Sequence, residues 1–270
     1  MALSTAGLML MLAAAPGLAQ TPAESFQATT QPQQDAALDA LFSDFTPSTP
    51  GCAVAVDLSG APMVRRAFGL AEMEHRIPAT AETIYEAGSV SKQFTATAIV
   101  MLADMGRLSL DDDVRRYVPE LPETDTPITI RMMLNHTSGL RDWGSITEIE
   151  GWPRGTRTVT NDTVVEILSR QRSLNYDPGT EYLYSNSGYN LSAVIVERVA
   201  GESLAEFTRK QIFTPLGMTH TRWRDDYSAI VPGRATAYAP VAGGGFHQAM
   251  PFENAYGNGG LLTTVGDLMI

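Results

Sequence analysis

Lysine is nearly absent from this chain. Of 19 basic side chains among 270 residues, only Lys92 and Lys210 are lysines; the rest are arginines. Acidic residues number 30, for a formal charge of −11. No basic run offsets that excess, which disfavours nucleic-acid binding because phosphate backbones would be repelled. Cysteine occurs once, at Cys52, so an internal disulfide is excluded. Cys52 lies in the apolar run CAVAVD and reads as a small strand residue rather than a reactive thiol. There is no His-Glu-x-x-His and no cysteine–histidine cluster, so neither a metal nor any other cofactor is implied. No Gly-x-Ser-x-Gly follows a strand, as an α/β-hydrolase would require. Long apolar runs are also missing, and no membrane span is expected. The run Leu8–Ala15 is too short to cross a bilayer. It sits in nineteen uncharged residues that end in Gly17-Leu18-Ala19, the pattern of a secretory leader cleaved after Ala19. The mature protein is therefore expected to be secreted or periplasmic.

What remains has ordinary globular composition, 44% hydrophobic and 18% charged, enough for a sizeable core. Residues 20–34 are rich in Thr, Pro, Gln and Ala and read as a tether, leaving 35–270 for the fold. Leu38, Leu41, Phe42 and Phe45 recur at helical spacing across Asp35–Phe45. Cys52–Asp57 and Met63–Phe68 read as a hairpin around LSGAP. From Ser89 the pattern is helical, with Phe94, Ala98, Leu102 and Met105 on one face and Gly106 at the C′ position. Further helices are expected over Ile130–Leu134, Asn161–Arg170, Asn190–Ala200 and Leu204–Ile212, the last stopped by Pro215. Trp143–Arg157 and Pro240–Gly260 read as loops. The closing TTVGDLMI reads as the first turns of a helix capped by Thr263 or Thr264. The fold class is α+β: an antiparallel sheet flanked by helices, beside a mainly helical region.

The strongest local motif is Ser89-Val90-Ser91-Lys92. Positions i and i+3 share a helix face, so Ser89 and Lys92 can meet. With two lysines in the chain, a Ser-x-x-Lys arising by chance is uncommon. A serine hydroxyl is a poor nucleophile until a neighbour takes its proton. A lysine can do so once burial or nearby positive charge lowers its pKa from about 10.4. The second motif is Tyr184-Ser185-Asn186. A phenolate is a strong base, but a free phenol titrates near ~10, so holding the anion at neutral pH costs about 4 kcal/mol without a cation nearby. Lys92 is the candidate cation. Asn186 can offer its acceptor to that lysine and its donors to a substrate amide. Tyr256-Gly257-Asn258 fits the same pattern, but its glycine-rich setting reads as a tight backbone turn, so Tyr184 is preferred.

Together these residues resemble the serine penicillin-binding proteins and β-lactamases, in the branch that holds class C β-lactamases, D,D-peptidases and related esterases. The likeness is carried by PGCAVAV, AFGLAEMEHRIPATAETIYEAGSVSKQFTA, LNHTSGL, PGTEYLYSNSGYNLSAVIVERVAG and YGNGGLLTTVGDL, in that order from Pro50 onward. The resemblance implies that Ser89 is the acylated nucleophile, Lys92 its partner, Tyr184 the proton shuttle and Asn186 a contact for substrate and lysine. It makes His136, in His-Thr-Ser-Gly, structural rather than catalytic. It also implies a third motif, Lys-Thr-Gly or His-x-Gly, on a strand that completes the oxyanion hole. Nothing after Asp267 matches it. The resemblance therefore implies a C-terminally truncated chain without its last strands and helix, expected to be inactive and poorly soluble alone. The implied partner is a small-molecule or peptide substrate with a carbonyl electrophile, whether amide, β-lactam or ester. The alternative is a non-catalytic cell-wall or substrate-binding module of the same fold.

Overall fold

The computed structural model describes residues 31–57 and 64–270. The expected leader, the first part of the tether and the LSGAP turn lie outside them. A first unit, residues 1–42, contributes helix α1, Gln31–Leu41. It begins four residues before the expected Asp35, within the segment read as tether. Pro32 falls in its first turn, where a missing N–H costs nothing.

The second unit, residues 43–270, carries everything else described. Strands β1 (Cys52–Val56) and β2 (Val64–Phe68) pair antiparallel, with Cys52 opposite Phe68. Strands β3 (Leu70–Glu72) and β4 (Ile77–Pro78) form a second small ladder. Strand β5 (Tyr85–Glu86) leads through a 3-10 turn, Gly88–Ser91, into helix α2, Lys92–Asp104. Gly106 terminates α2 with φ +68, as its C′ position requires. Ala98 and Leu102 are fully buried on the expected face, but Met105 is half exposed, because it is already the C-cap.

Helix α3, Ile130–Leu134, is capped by the Thr129 hydroxyl. Helix α4, Trp143–Ile149, occupies part of a segment expected to be a loop. Gly144 and Gly151 suggest turns there, but the Asp142 carboxylate caps the first N–H groups and Trp143, Ile146 and Thr147 bury one face. Helix α5 is Asn161–Ser169, and helix α6 is Ser187–Ala200. Helix α6 starts three residues earlier than expected, immediately after Asn186. Its residues Ser187 to Val196 are all buried, with α2, α3, α5 and α7 (Leu204–Thr208) packed around it. Burying side chains such as Leu191 and Ile195 contributes about 1.5–3 kcal/mol each.

After α7 the chain widens into a π turn, Arg209–Phe213, and then a short helix α8, Thr214–Leu216. Pro215 does not stop it. The stop is Gly217, left-handed at φ +73. Strands β6 (Arg222–Trp223), β7 (Tyr238–Pro240), β8 (Phe246–Gln248) and β9 (Leu261–Thr263) come next, then helix α9, Val265–Leu268, capped by Thr264. Strands β7 and β8 pair with each other within the second expected loop. The fully buried β9 lies between β5 and β6 in an antiparallel three-stranded sheet. The class is α+β, with several small ladders rather than one hairpin.

Candidate active site

The three-stranded sheet holds the Ser89 turn in place. The Ala87 N–H donates to Leu261 O at 2.8 Å. The buried Ser91 hydroxyl donates to Gly88 O (2.6 Å) and accepts from Leu261 N–H (3.0 Å). Ser91 thus ties both ends of the turn to β9, while Ser89 stays exposed. Lys92 is the first residue of α2. Its Nζ lies 3.2 Å from Ser89 Oγ, as the i, i+3 spacing requires.

Lys92 is only 6% exposed. Its Nζ donates to Ser89 Oγ, to Asn186 Oδ1 at 2.9 Å and to the backbone carbonyl of Asn258. Three acceptors match the three protons of an ammonium group. The ammonium also lies 4.8 Å from the centre of the Tyr184 ring and 5.4 Å from that of Tyr189, where ring faces attract a cation. Burial lowers the lysine pKa, partly opposed by Tyr184 and Asp142, while Arg154 lowers it further. The site thus holds the charged form by hydrogen bonds and makes its proton easier to lose than a surface lysine's.

The Tyr184 hydroxyl lies 2.7 Å from Ser89 Oγ, and the residue is 43% exposed. Asn186 sits at the N-cap of α6, yet its side chain does not cap the helix; it turns to Lys92. Its backbone N–H donates to Asp142 Oδ2 at 2.7 Å, while Asp142 Oδ1 caps α4. One carboxylate therefore sets both the Tyr-Ser-Asn segment and the start of α4. Ser89, Lys92, Tyr184 and Asn186 are brought together. Tyr256 is not among them. It is buried against Trp223, and burial pushes its phenol up to about 12.

Three residues that sequence reasoning misses complete the surroundings. Asn258 supplies the carbonyl under Lys92, and Asp142 sets the Asn186 backbone. Asn190 is the third: its amide donates to Asn161 Oδ1 (3.0 Å) and Asn258 Oδ1 (3.0 Å), and its oxygen accepts from Trp143 Nε1 (3.0 Å). The signal for Asn190 is its position four residues after Asn186, on the same helix face. Gly257 has φ +102, and a Cβ there would come within 2.8 Å of Ala193 Cβ, so glycine is needed to bring Asn258 to Lys92. Among the described residues, no group of three His, Cys, Asp or Glu side chains is disposed to hold a metal ion.

The family model described as Beta-lactamase matches residues 28–270. Penicillin-binding protein 4* of Bacillus subtilis is 38% identical over 160 residues, covering 59% of this chain and 35% of that protein. A D-aminopeptidase of Gluconobacter oxydans is 32% identical over 244 residues, covering 87% of this chain and 43% of its own length. The chain thus spans less than half the length of either relative. Among solved structures, the octameric penicillin-binding protein homologue from Pyrococcus abyssi superposes with a TM-score of 0.74 at 29% identity, over 88% of this chain and 54% of that one. The D-amino acid amidase from Ochrobactrum anthropi gives 0.75 at 25% identity, over 87% and 68%.

Proposed function

Because the chain belongs to the Beta-lactamase family, we propose that it is a serine hydrolase that works through an acyl-enzyme, with Ser89 as the nucleophile. The observation that carries this reading is one contact set: Ser89 Oγ lies 2.7 Å from the Tyr184 hydroxyl and 3.2 Å from Lys92 Nζ. Beside Lys92, the Tyr184 oxygen relays the Ser89 proton as Oγ bonds to the substrate carbonyl carbon. Tyr184 then gives this proton to the leaving nitrogen or oxygen as its bond to carbon breaks. A water attacks the acyl-enzyme, its proton passing through Tyr184 to Ser89 Oγ as the ester bond breaks and the acid leaves. Asn186 holds Lys92 through its oxygen and offers its amide N–H groups to the substrate.

The substrate is a small molecule or peptide with an amide, β-lactam or ester carbonyl. An amide on a D-configured amino acid comes first among these, since one relative is a D-aminopeptidase and one structural neighbour a D-amino acid amidase. A cleft of about 260 Å³ beside the Ser89 turn, lined by Tyr85, Glu86, Gly88, Arg234, Met250 and Pro251 among others, has room for such a group. Export through a leader cleaved after Ala19 belongs to the same proposal. A non-catalytic binding module would not need a serine with a buried lysine and a tyrosine both within hydrogen-bond reach of its hydroxyl.

The test is covalent. The full-length protein is treated with a fluorophosphonate, digested and mapped. The label is expected on Ser89 and is expected to vanish in Ser89→Ala. Label on another residue, or undiminished labelling of Ser89→Ala, contradicts the assignment.

A further inference from the structure

His136 has φ +59, in the left-handed region that non-glycine residues seldom adopt and that needs a compensating contact. Its own N–H donates to Met133 O, and its other hydrogen bonds and ring contacts fall within residues 176–189. The His136 carbonyl accepts from Leu183 N–H at 3.0 Å and from the Tyr176 hydroxyl at 3.1 Å. Its imidazole Nδ1 accepts from Ser185 N–H at 3.2 Å. Its ring lies 4.4 Å from the Tyr184 ring, tilted by 32°, with Tyr189 at 5.3 Å and the edge of Tyr182 at 5.9 Å. One residue therefore grips the chain on both sides of Tyr184, by backbone and by ring. Its contacts are with Tyr184 and its flanks rather than with Ser89, so its effect runs through Tyr184.

Resting on the catalytic role of Tyr184, we propose that His136 is a positioning residue: its neutral imidazole holds residues 183–185 so that the Tyr184 hydroxyl meets Ser89, and its protonation releases that hold. The reason is the direction of one hydrogen bond. Nδ1 is the acceptor for Ser185 N–H, so the ring's proton must sit on Nε2. A second proton would set two donors face to face. It would also place a second positive charge beside the stack that already carries Lys92. The titratable groups around the ring are Lys92 from α2, Tyr182 and Tyr184 from the segment before α6, Tyr189 from α6, and Tyr176. Asp142 approaches the same motif at Asn186. Burial and the Lys92 charge both hold the imidazole below its ordinary value of 6.5. The hold is therefore intact at neutral pH and is lost on the acid side.

The experiment titrates the full-length protein, labelled with 15N-histidine and ring-13C tyrosine, from neutral pH downward by NMR, alongside the fluorophosphonate labelling rate. His136 is expected to show an unprotonated Nδ1 and a midpoint below 6.5. The Tyr184 ring resonance and the labelling rate are expected to follow that same midpoint. His136→Asn tolerates the left-handed backbone and keeps an acceptor that does not titrate, so the shared midpoint should disappear from both. His136→Phe keeps the ring without the acceptor and should label roughly 10²-fold more slowly at every pH, since small misplacements of a reacting group cost about that much. If His136→Phe does not fold, His136→Asn carries the test. A Tyr184 resonance indifferent to the His136 titration, or an unchanged acid limb in His136→Asn, overturns the proposal. Absence of any label on Ser89 contradicts the catalytic reading instead, and the Tyr184 resonance still decides the role of His136.

Discussion

Two segments of this chain spell the same pattern, Tyr184-Ser185-Asn186 and Tyr256-Gly257-Asn258, and they meet at the same lysine in opposite ways. The first offers side chains: the Tyr184 hydroxyl to Ser89 and the Asn186 oxygen to Lys92. The second offers backbone: the Asn258 carbonyl accepts from Lys92, while Tyr256 turns away into the core. The difference lies in the middle residue and in the backbone around it. Ser185 precedes a helix, whose start fixes the direction of the Asn186 side chain. Gly257, at φ +102, lets the main chain pass close under Lys92 where any Cβ would strike Ala193. A reactive tyrosine and a structural one are thus separated by backbone conformation, with the tripeptide pattern itself neutral between them.

The largest expected effect tests that separation directly. Tyr184→Phe should slow Ser89 acylation by about 10²- to 10⁴-fold, the usual contribution of a positioned acid–base group. Stopped-flow labelling measures it, and a rate within a few-fold of the parent would break the comparison. Asn190→Ala should rank next. Asn190 ties the second segment to helix α6, which follows the first, by donating to Asn258 Oδ1 and to Tyr256 O, and it also accepts from Trp143 Nε1. Its loss leaves buried polar groups unpaired, at about 1–3 kcal/mol of unfolding free energy each. Urea unfolding reads that out, and labelling should slow as well because Asn258 is no longer held.

Tyr256→Phe should do much less. It removes a buried hydroxyl that lies near Ser203 and Ala205, for a stability loss of about 1 kcal/mol, while leaving the labelling rate near that of the parent. An acylation defect as large as that of Tyr184→Phe would show that the two tyrosines have been assigned the wrong way round.

How far these features are legible in the sequence depends on how local they are. Ser89 and Lys92 are three residues apart, and helical spacing alone pairs them. The α+β class, the β1–β2 pairing and the Gly106 stop are legible for the same reason. Asn258 stands out only through a pattern match, because its bond to Lys92 spans 166 positions and is made by a carbonyl that every residue has. Asp142 is hidden because the glycines after it suggest a loop, although an aspartate before a buried helix face is a capping signal. Strand β9 is three residues long, too short for an alternating pattern, and only its pairing with β5 and β6 defines it. His136 reads as structural from its motif; the structure sets it against Tyr184, which its sequence neighbours give no reason to expect.

The smallest effect concerns pH and stability. His136 is held below its ordinary 6.5 by burial and by Lys92. As pH falls through 6.5 the unfolded chain gains a proton that the folded chain refuses, so folding stability should fall in that window until the lowered native value is reached. Above 6.5 neither state is protonated there, and this contribution is complete. Urea unfolding across that range should show the slope in the parent and a shallower one in His136→Asn. An equal slope in both would place the titration elsewhere.

The central claim is that Lys92 and Tyr184 act on Ser89 as one proton-transfer unit, and a double-mutant cycle tests it most directly. Fluorophosphonate labelling rates are measured for the parent, Lys92→Ala, Tyr184→Phe and the double variant of the full-length protein. Each single change is expected to remove most of the rate, with the double variant little slower than either, because a unit broken once has little left to lose. Multiplicative losses, with the double variant slower by the product of the two single effects, would contradict the claim.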